Sequence, residues 1–168
     1  MQKLIVVSGL PGAGKSTVAD GLARELRWPV FSIDPIEAAM WRGGIPENTT
    51  GIAAYLIAAA LAEEHLYLGQ SAIIDAVSAV QDARDMWRNI AKKHDVPMVV
   101  IEVVCSDEAL HKRRVDSRVR SIEGMPEVVW ERVLERKKEF EPWKEPHLVL
   151  DSVEERDVLL RKALEYAR

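Results

Sequence analysis

The feature that most restricts this chain is "GLPGAGKST", residues 9–17, set directly after the apolar run "LIVVS". It fits G-x-x-x-x-G-K-[ST], with Gly9, Gly14, Lys15 and Ser16 in the fixed positions. Glycines let a backbone curl until successive N–H groups point inward, where they can meet phosphate oxygens. A helix beginning at Lys15 adds its unsatisfied N-terminal amides and the positive end of its dipole. The Lys15 ammonium suits the terminal phosphates of a nucleotide, and the Ser16 hydroxyl suits Mg²⁺. The expected nucleotide contacts are therefore Gly9, Pro11, Gly12, Ala13, Gly14, Lys15, Ser16 and Thr17. Such a loop requires a strand before it and a helix after it, so the N-terminal part of the chain is committed to an α/β arrangement.

The rest of the sequence continues that alternation. Short apolar runs at 4–7, 30–33, 72–74, 97–104 and 148–150 read as buried strands. Between them, residues 15–27, 35–41, 52–68, 81–94, 107–117, 127–140 and 154–167 read as helices. Residues 42–51, "RGGIPENTTG", read as a loop. Alternating strands and helices predict a parallel sheet with helices on both faces, and ligands in such sheets lie beyond the C-terminal strand ends. There are no internal repeats or linkers, and residues 1–168 are expected to form one domain.

Two carboxylates follow strand ends. Asp75 closes "SAIID" and could hold Mg²⁺, chiefly through water, or cap the next segment. Asp34 closes "VFSID" and precedes Pro35, so it is either a helix cap or an acceptor-side group that orients or deprotonates a substrate hydroxyl. The segment "HKRRVDSRVR" carries Arg113, Arg114, Arg118 and Arg120. Arg114 and Arg118 are four apart, which puts them on one helix face. They could stabilise charge during phosphoryl transfer from a lid over 113–126, or form a solvated basic surface. Trp130, Leu134, Val129 and Val133 read as core, and Trp41 as either core or acceptor-pocket wall. His111 and His147 have no partner at metal-ligand spacing and receive no role.

Composition narrows the setting. A net charge of −4 supplies no global basic field, which disfavours nucleic acid as a partner. The single cysteine, Cys105, excludes a disulfide scaffold or a cysteine zinc site and fits a reducing cytoplasm. No apolar run approaches the ~20 residues of a membrane span.

The stretches "LIVVSGLPGAGKST", "FSID", "AIIDAVSAVQDARDMWRNIAKKHDVPMVVIEVVCSDEALHKRRVDSR" and "FEPWKEPHLVLDS" resemble the small P-loop kinases of the nucleoside-monophosphate-kinase-like group. More closely, they resemble kinases labelled AAA-type, alongside polynucleotide kinase, zeta toxin and chloramphenicol phosphotransferase domains. The resemblance implies a three-layer P-loop NTPase fold, a five-stranded sheet in order 2-3-1-4-5 and a helical lid after strand four. It also implies ATP and Mg²⁺ as cofactors and a small hydroxyl-bearing molecule as acceptor. It places the acceptor carboxylate at Asp34, the paired lid arginines at Arg114 and Arg118, the adenine contact around Asp151 and an acceptor-side group at Arg42. Departures are equally informative. There is no N-K-x-D guanine signature, no "LSGGQ" and no glycine triplet after Asp75, and the chain is too short for a ring-forming motor. A nucleic-acid 5′-hydroxyl kinase and a slow ATPase switch stand as the rival readings.

Overall fold

The structure, a computed structural model, describes residues 1–119 and 122–168, so Arg120 lies outside the described residues. Strands β1 (Leu4–Ser8), β2 (Val30–Ser32), β3 (Ala72–Asp75), β4 (Met98–Val104) and β5 (His147–Asp151) form one parallel sheet in the order β2-β3-β1-β4-β5. Helices α1 (Lys15–Leu26), α2 (Ile33–Arg42), α3 (Gly51–Tyr67), α4 (Gln81–Lys93), α5 (Glu108–Ser117), α6 (Trp130–Glu139) and α7 (Arg156–Ala167) connect and cover it. The expected order and layering are present.

Period-two alternation in β1 builds both core layers. Leu4 and Val6 face Ile74, Val100, the alanines of α3 and Trp87 of α4. Ile5 and Val7 face Ile73, Val103, Leu22 of α1 and Leu159 of α7. A strand buried on both faces has no polar side to show, which explains the unbroken apolar run in the sequence. A third, smaller cluster joins Val115 of α5 to Trp130 and Val133 of α6, with Leu10 of the glycine loop packed against it. The two helices after β4 are thereby seated on the loop after β1.

Element boundaries differ from the sequence expectation in three informative places. Helix α2 begins at Ile33, two residues before Pro35, with Ser32 at the N-cap. Proline is tolerated there because the first-turn amides have no intrahelical partner to lose. Asp34 is thus inside the first turn and is not the cap. Helix α6 begins at Trp130, with Val129 extended at the N-cap and 60% exposed, so Val129 is not core. Val128 packs on the Val115–Trp130–Val133 cluster from the extended segment before the helix. Helix α5 ends at Ser117, and Arg118 is extended at the C-cap, so Arg114 and Arg118 do not share a helix face.

A buried arginine fixes the far side of the sheet edge. Arg84 in the first turn of α4 is wholly buried. Its guanidinium donates to the carbonyls of Ser78 (2.8 Å), Pro142 (2.8 Å) and Glu141 (2.6 Å) and lies 4.0 Å over the Trp143 ring. The fork geometry of arginine lets one side chain satisfy carbonyls from two segments distant in sequence. Arg84→Ala would strand those carbonyls and is expected to cost on the order of 3 kcal/mol in urea unfolding; an unchanged midpoint would contradict this role. Gly12 provides a second test. Its φ is 77°, and an added Cβ would sit 2.5 Å from Val115 Cγ2. Gly12→Ala is expected to destabilise by about 1–3 kcal/mol, and Val115→Ala in the same chain should recover only the clash, leaving the backbone strain. Additive losses in the double variant would refute contact between the loop and α5.

Candidate functional site: a polyphosphate-binding loop and its cleft

The loop from Gly9 to Gly14 turns the chain from the buried end of β1 into α1. Gly9 has φ 152°, and a Cβ there would lie 2.3 Å from the Val103 carbonyl oxygen, so only glycine lets the loop press against β4. Gly14 is the N-cap of α1 and supplies no side-chain cap. The first-turn amides of this 12-residue helix therefore remain for a ligand. They open onto a cavity of about 550 Å³, within the ~300–1,000 Å³ typical of small-ligand sites. Gly12, Gly14, Lys15, Ser16 and Thr17 line one wall. Lys15 is buried, which strengthens its field at that wall.

Helix α5 and the loop after β5 form the opposite wall. Arg114, Ser117 and Arg118 line the cavity together, although Arg118 reaches it from beyond the helix end. Arg114 donates from Nη1 to Ser152 Oγ (2.8 Å) and from Nη2 to the Ser152 carbonyl (2.9 Å). Residues 152–156 and Leu159 complete the lining. Asp151 does not line it. Its carboxylate accepts from the amides of Ser106 (3.1 Å) and Val153 (3.3 Å), and hydrogen bonding from Ser106 holds it below the usual carboxylate range. Asp151 braces the loop whose next residues face the cavity.

Sequence reasoning gave His111 no role, yet it supports the glycine loop. Its buried ring makes a 2.8 Å hydrogen bond between Nε2 and the Pro11 carbonyl, and stands edge-on to Trp130. One histidine on a basic helix carries no spacing signal that could have revealed this. Ser152 was within reach of inspection, because it follows the aspartate at the end of β5.

The carboxylate at the third strand end is poised for a cation. Asp75 is buried, its Oδ2 accepts from Ser32 Oγ (3.0 Å), and its Oδ1 is buried without a hydrogen-bond partner. The N-cap of α4 is Val80, so Asp75 is not a cap. An orphaned buried carboxylate oxygen is costly unless something positive meets it. Among the described residues, no cluster of three or more His, Cys, Asp or Glu could hold a metal alone. That donor set suits Mg²⁺, which is commonly held by one or two carboxylates plus phosphate oxygens and water. β3 lies between β1 and β2, and Ser32 is in register with Asp75. Asp34, two residues further on, lies on the side of Asp75 away from the glycine loop.

The expected acceptor side is firmly built. The Trp41 ring N–H donates to Thr50 Oγ1 (2.8 Å), and that hydroxyl donates to Glu37 (2.9 Å), which locks α2 to the start of α3. Trp41 is half-buried and ties α2 to α3 through this hydrogen bond. Arg42 is exposed and donates to the Glu123 carbonyl, so it ties the end of α2 to the segment before α6. Residues 43–49 are exposed. Ser78, at φ 47°, donates its amide N–H to the Tyr55 hydroxyl (3.1 Å) and accepts the Trp87 ring N–H at its own hydroxyl (3.0 Å). Burial pushes the Tyr55 phenol up.

Known proteins share this fold. The kinase/phosphatase "6-phosphofructo-2-kinase/fructose-2,6-bisphosphatase 1" of Rattus norvegicus is 30% identical over 120 residues, 62% of this chain. The chain spans about a quarter of that relative's length, 26%. A protein of Chloroflexus aurantiacus has a structure that superposes with a TM-score of 0.79 at 21% identity, covering 99% of both chains. The Mycobacterium tuberculosis APS kinase CysC, solved with AMPPNP and APS, superposes with a TM-score of 0.70 at 15% identity, covering 99% of this chain and 97% of its own. These likenesses establish the fold. No helix among the described residues is long and apolar enough to cross a membrane. Residues 4–142 match the AAA_33 family of AAA domains, and the chain belongs to that family, built on the small P-loop kinase fold.

Proposed function

We propose that this protein is an ATP- and Mg²⁺-dependent phosphotransferase that moves the γ-phosphoryl group to a hydroxyl of a small molecule in the cytoplasm. The observation that carries this reading is the arrangement along one sheet edge: an amide-lined loop with buried Lys15, then Asp75 with an unpartnered oxygen, then the helix bearing Asp34. An ATPase switch requires the first two and has no use for the third. The names of a sequence relative, a 6-phosphofructo-2-kinase/fructose-2,6-bisphosphatase, and of a protein of similar fold, an APS kinase, favour a small acceptor. The net charge of −4 gives a polynucleotide no general attraction.

In this reading the loop amides and Lys15 hold the triphosphate, with Gly9, Pro11, Gly12, Ala13, Gly14 and Thr17 shaping its path. Ser16 and Asp75 would hold Mg²⁺, which supplies charge neutralisation across the phosphates. The acceptor hydroxyl oxygen forms a bond to the γ-phosphorus as the bond to the bridging oxygen breaks and ADP leaves. The hydroxyl proton passes to the Asp34 carboxylate. Arg114 and Arg118 face the cavity, where their charge opposes what develops on the transferred group. Arg42 acts one step removed, by holding α2 against the 122–124 segment.

Asp34→Asn is expected to leave ATP affinity within about twofold while lowering phosphoryl transfer by roughly 10²–10⁴. The measurement pairs nucleotide titration with a mass-spectrometric screen of sugars, nucleosides, antibiotics and oligonucleotides. Undiminished transfer to the acceptor found in that screen would remove Asp34 from the reaction. Slow ATP loss with no phosphorylated product from any class would overturn the transferase reading in favour of a switch.

A further inference from the structure

Helix α3 has an outward face that the fold does not cover. Its inner side, Ala54, Ala58, Ala62 and Leu66, packs on the sheet. Its outer side exposes Ile52 (61%), Leu56 (54%), Ile57 (39%), Leu61 (43%), Tyr67 (77%) and Leu68 just past the end (66%). At 100° per residue these positions, with exposed Ala60, cover half the helix circumference; Glu63 and Glu64 both fall within that arc, Glu63 paired with Lys93 of α4. A surface helix ordinarily turns a polar face to water. Together these side chains leave about 600 Å² of apolar surface open, at the upper limit of the ~300–600 Å² that a monomer usually shows as one patch.

We propose that this face is the interface of a symmetric dimer, formed by α3 of one protomer lying antiparallel on α3 of its partner. Two copies would bury about 1,200 Å², which reaches the lower bound of the ~1,200–2,000 Å² of specific stable interfaces. The pattern is self-complementary. A two-fold axis passing between Ala58 and Ala59 sets Leu56 opposite Leu61 of the partner subunit, and Ile57 opposite the small Ala60 of the partner subunit. In that register the two Glu64 carboxylates stand about 16 Å apart along the axis, beyond the ~8 Å over which salt leaves charges coupled. A membrane surface is the poorer occupant. Helices that lie on membranes carry lysine or arginine along their polar flank; α3 has neither, and the cation beside it, Lys93 of α4, is paired with Glu63. Because α3 is locked to α2 through Trp41, Thr50 and Glu37, the dimer would also stiffen the helix that bears Asp34.

The test is solution mass by light scattering and sedimentation on the full chain, beside Leu56→Glu/Leu61→Glu. Both positions are exposed in the protomer, so the variant is expected to keep the wild-type circular dichroism. Wild type should show twice the 18.9 kDa protomer mass and the variant the protomer mass. In a Cys105→Ser background, Ala60→Cys should cross-link between copies with a short bis-maleimide. A monomeric wild type at every concentration that stays clear would overturn the proposal. So would a dimer that survives both glutamates, which would place the contact elsewhere, or a monomer that sediments with neutral or anionic vesicles.

Discussion

Everything in this molecule is organised around the glycine loop between β1 and α1 and the helix N-terminus it feeds. Such a loop can expose main-chain amides only if something prevents it from collapsing into an ordinary turn. Three contacts do so. The carbonyl of Val103 lies where a Cβ on Gly9 would be, Val115 fills the space above Gly12, and the His111 ring bonds to the Pro11 carbonyl. The cradle is thus held by β4 and α5, elements about a hundred residues away in sequence. Its rigidity depends on the whole sheet being assembled, and its electrostatic value depends on amides fixed in place before an anion arrives.

The same logic extends outward along the sheet. β3 separates the strand that leads to the glycine loop from the strand that leads to α2, so Asp75 stands between that loop and the helix that bears Asp34. The loop after Asp75 is tied by Ser8 to Val77, by Tyr55 and Trp87 to Ser78, and by Arg84 to the 141–142 carbonyls. An unpartnered carboxylate oxygen is tolerable only in such a braced setting, since a mobile loop would turn it to water. Helix α5 is fixed by Arg114 on Ser152, and the segment between α5 and α6 by Arg42 on Glu123. Of these two anchors the first joins residues that both line the cleft, Arg114 and Ser152.

The fold was legible in the sequence because its signals are local. Apolar runs buried on two faces, a glycine loop between strand and helix, and a proline tolerated in a first turn all act through nearest neighbours. The failures occurred where the deciding partner is distant. Val129 has the spacing of core but lies before a helix that starts one residue later, and it faces water. Arg118 shares helical spacing with Arg114, yet α5 stops at Ser117, and the two meet the cleft from different backbone conformations. Asp151 sits beside the cleft with its carboxylate consumed by two amides. His111 and Arg84 show the opposite case: neither residue has a motif, and each is defined by what another part of the chain presents to it. Spacing rules see periodicity along one element, and they are blind to carbonyls delivered by another.

The central assertion is that the amides of residues 9–15 bind the polyphosphate of a nucleotide. Isothermal titration of the folded protein with ATP at millimolar Mg²⁺ tests it most directly. One saturable site per chain is expected, with affinity that falls when ATP is replaced by AMP. Absence of heat with both Mg·ATP and Mg·GTP, in protein shown by circular dichroism to be folded, would contradict the account.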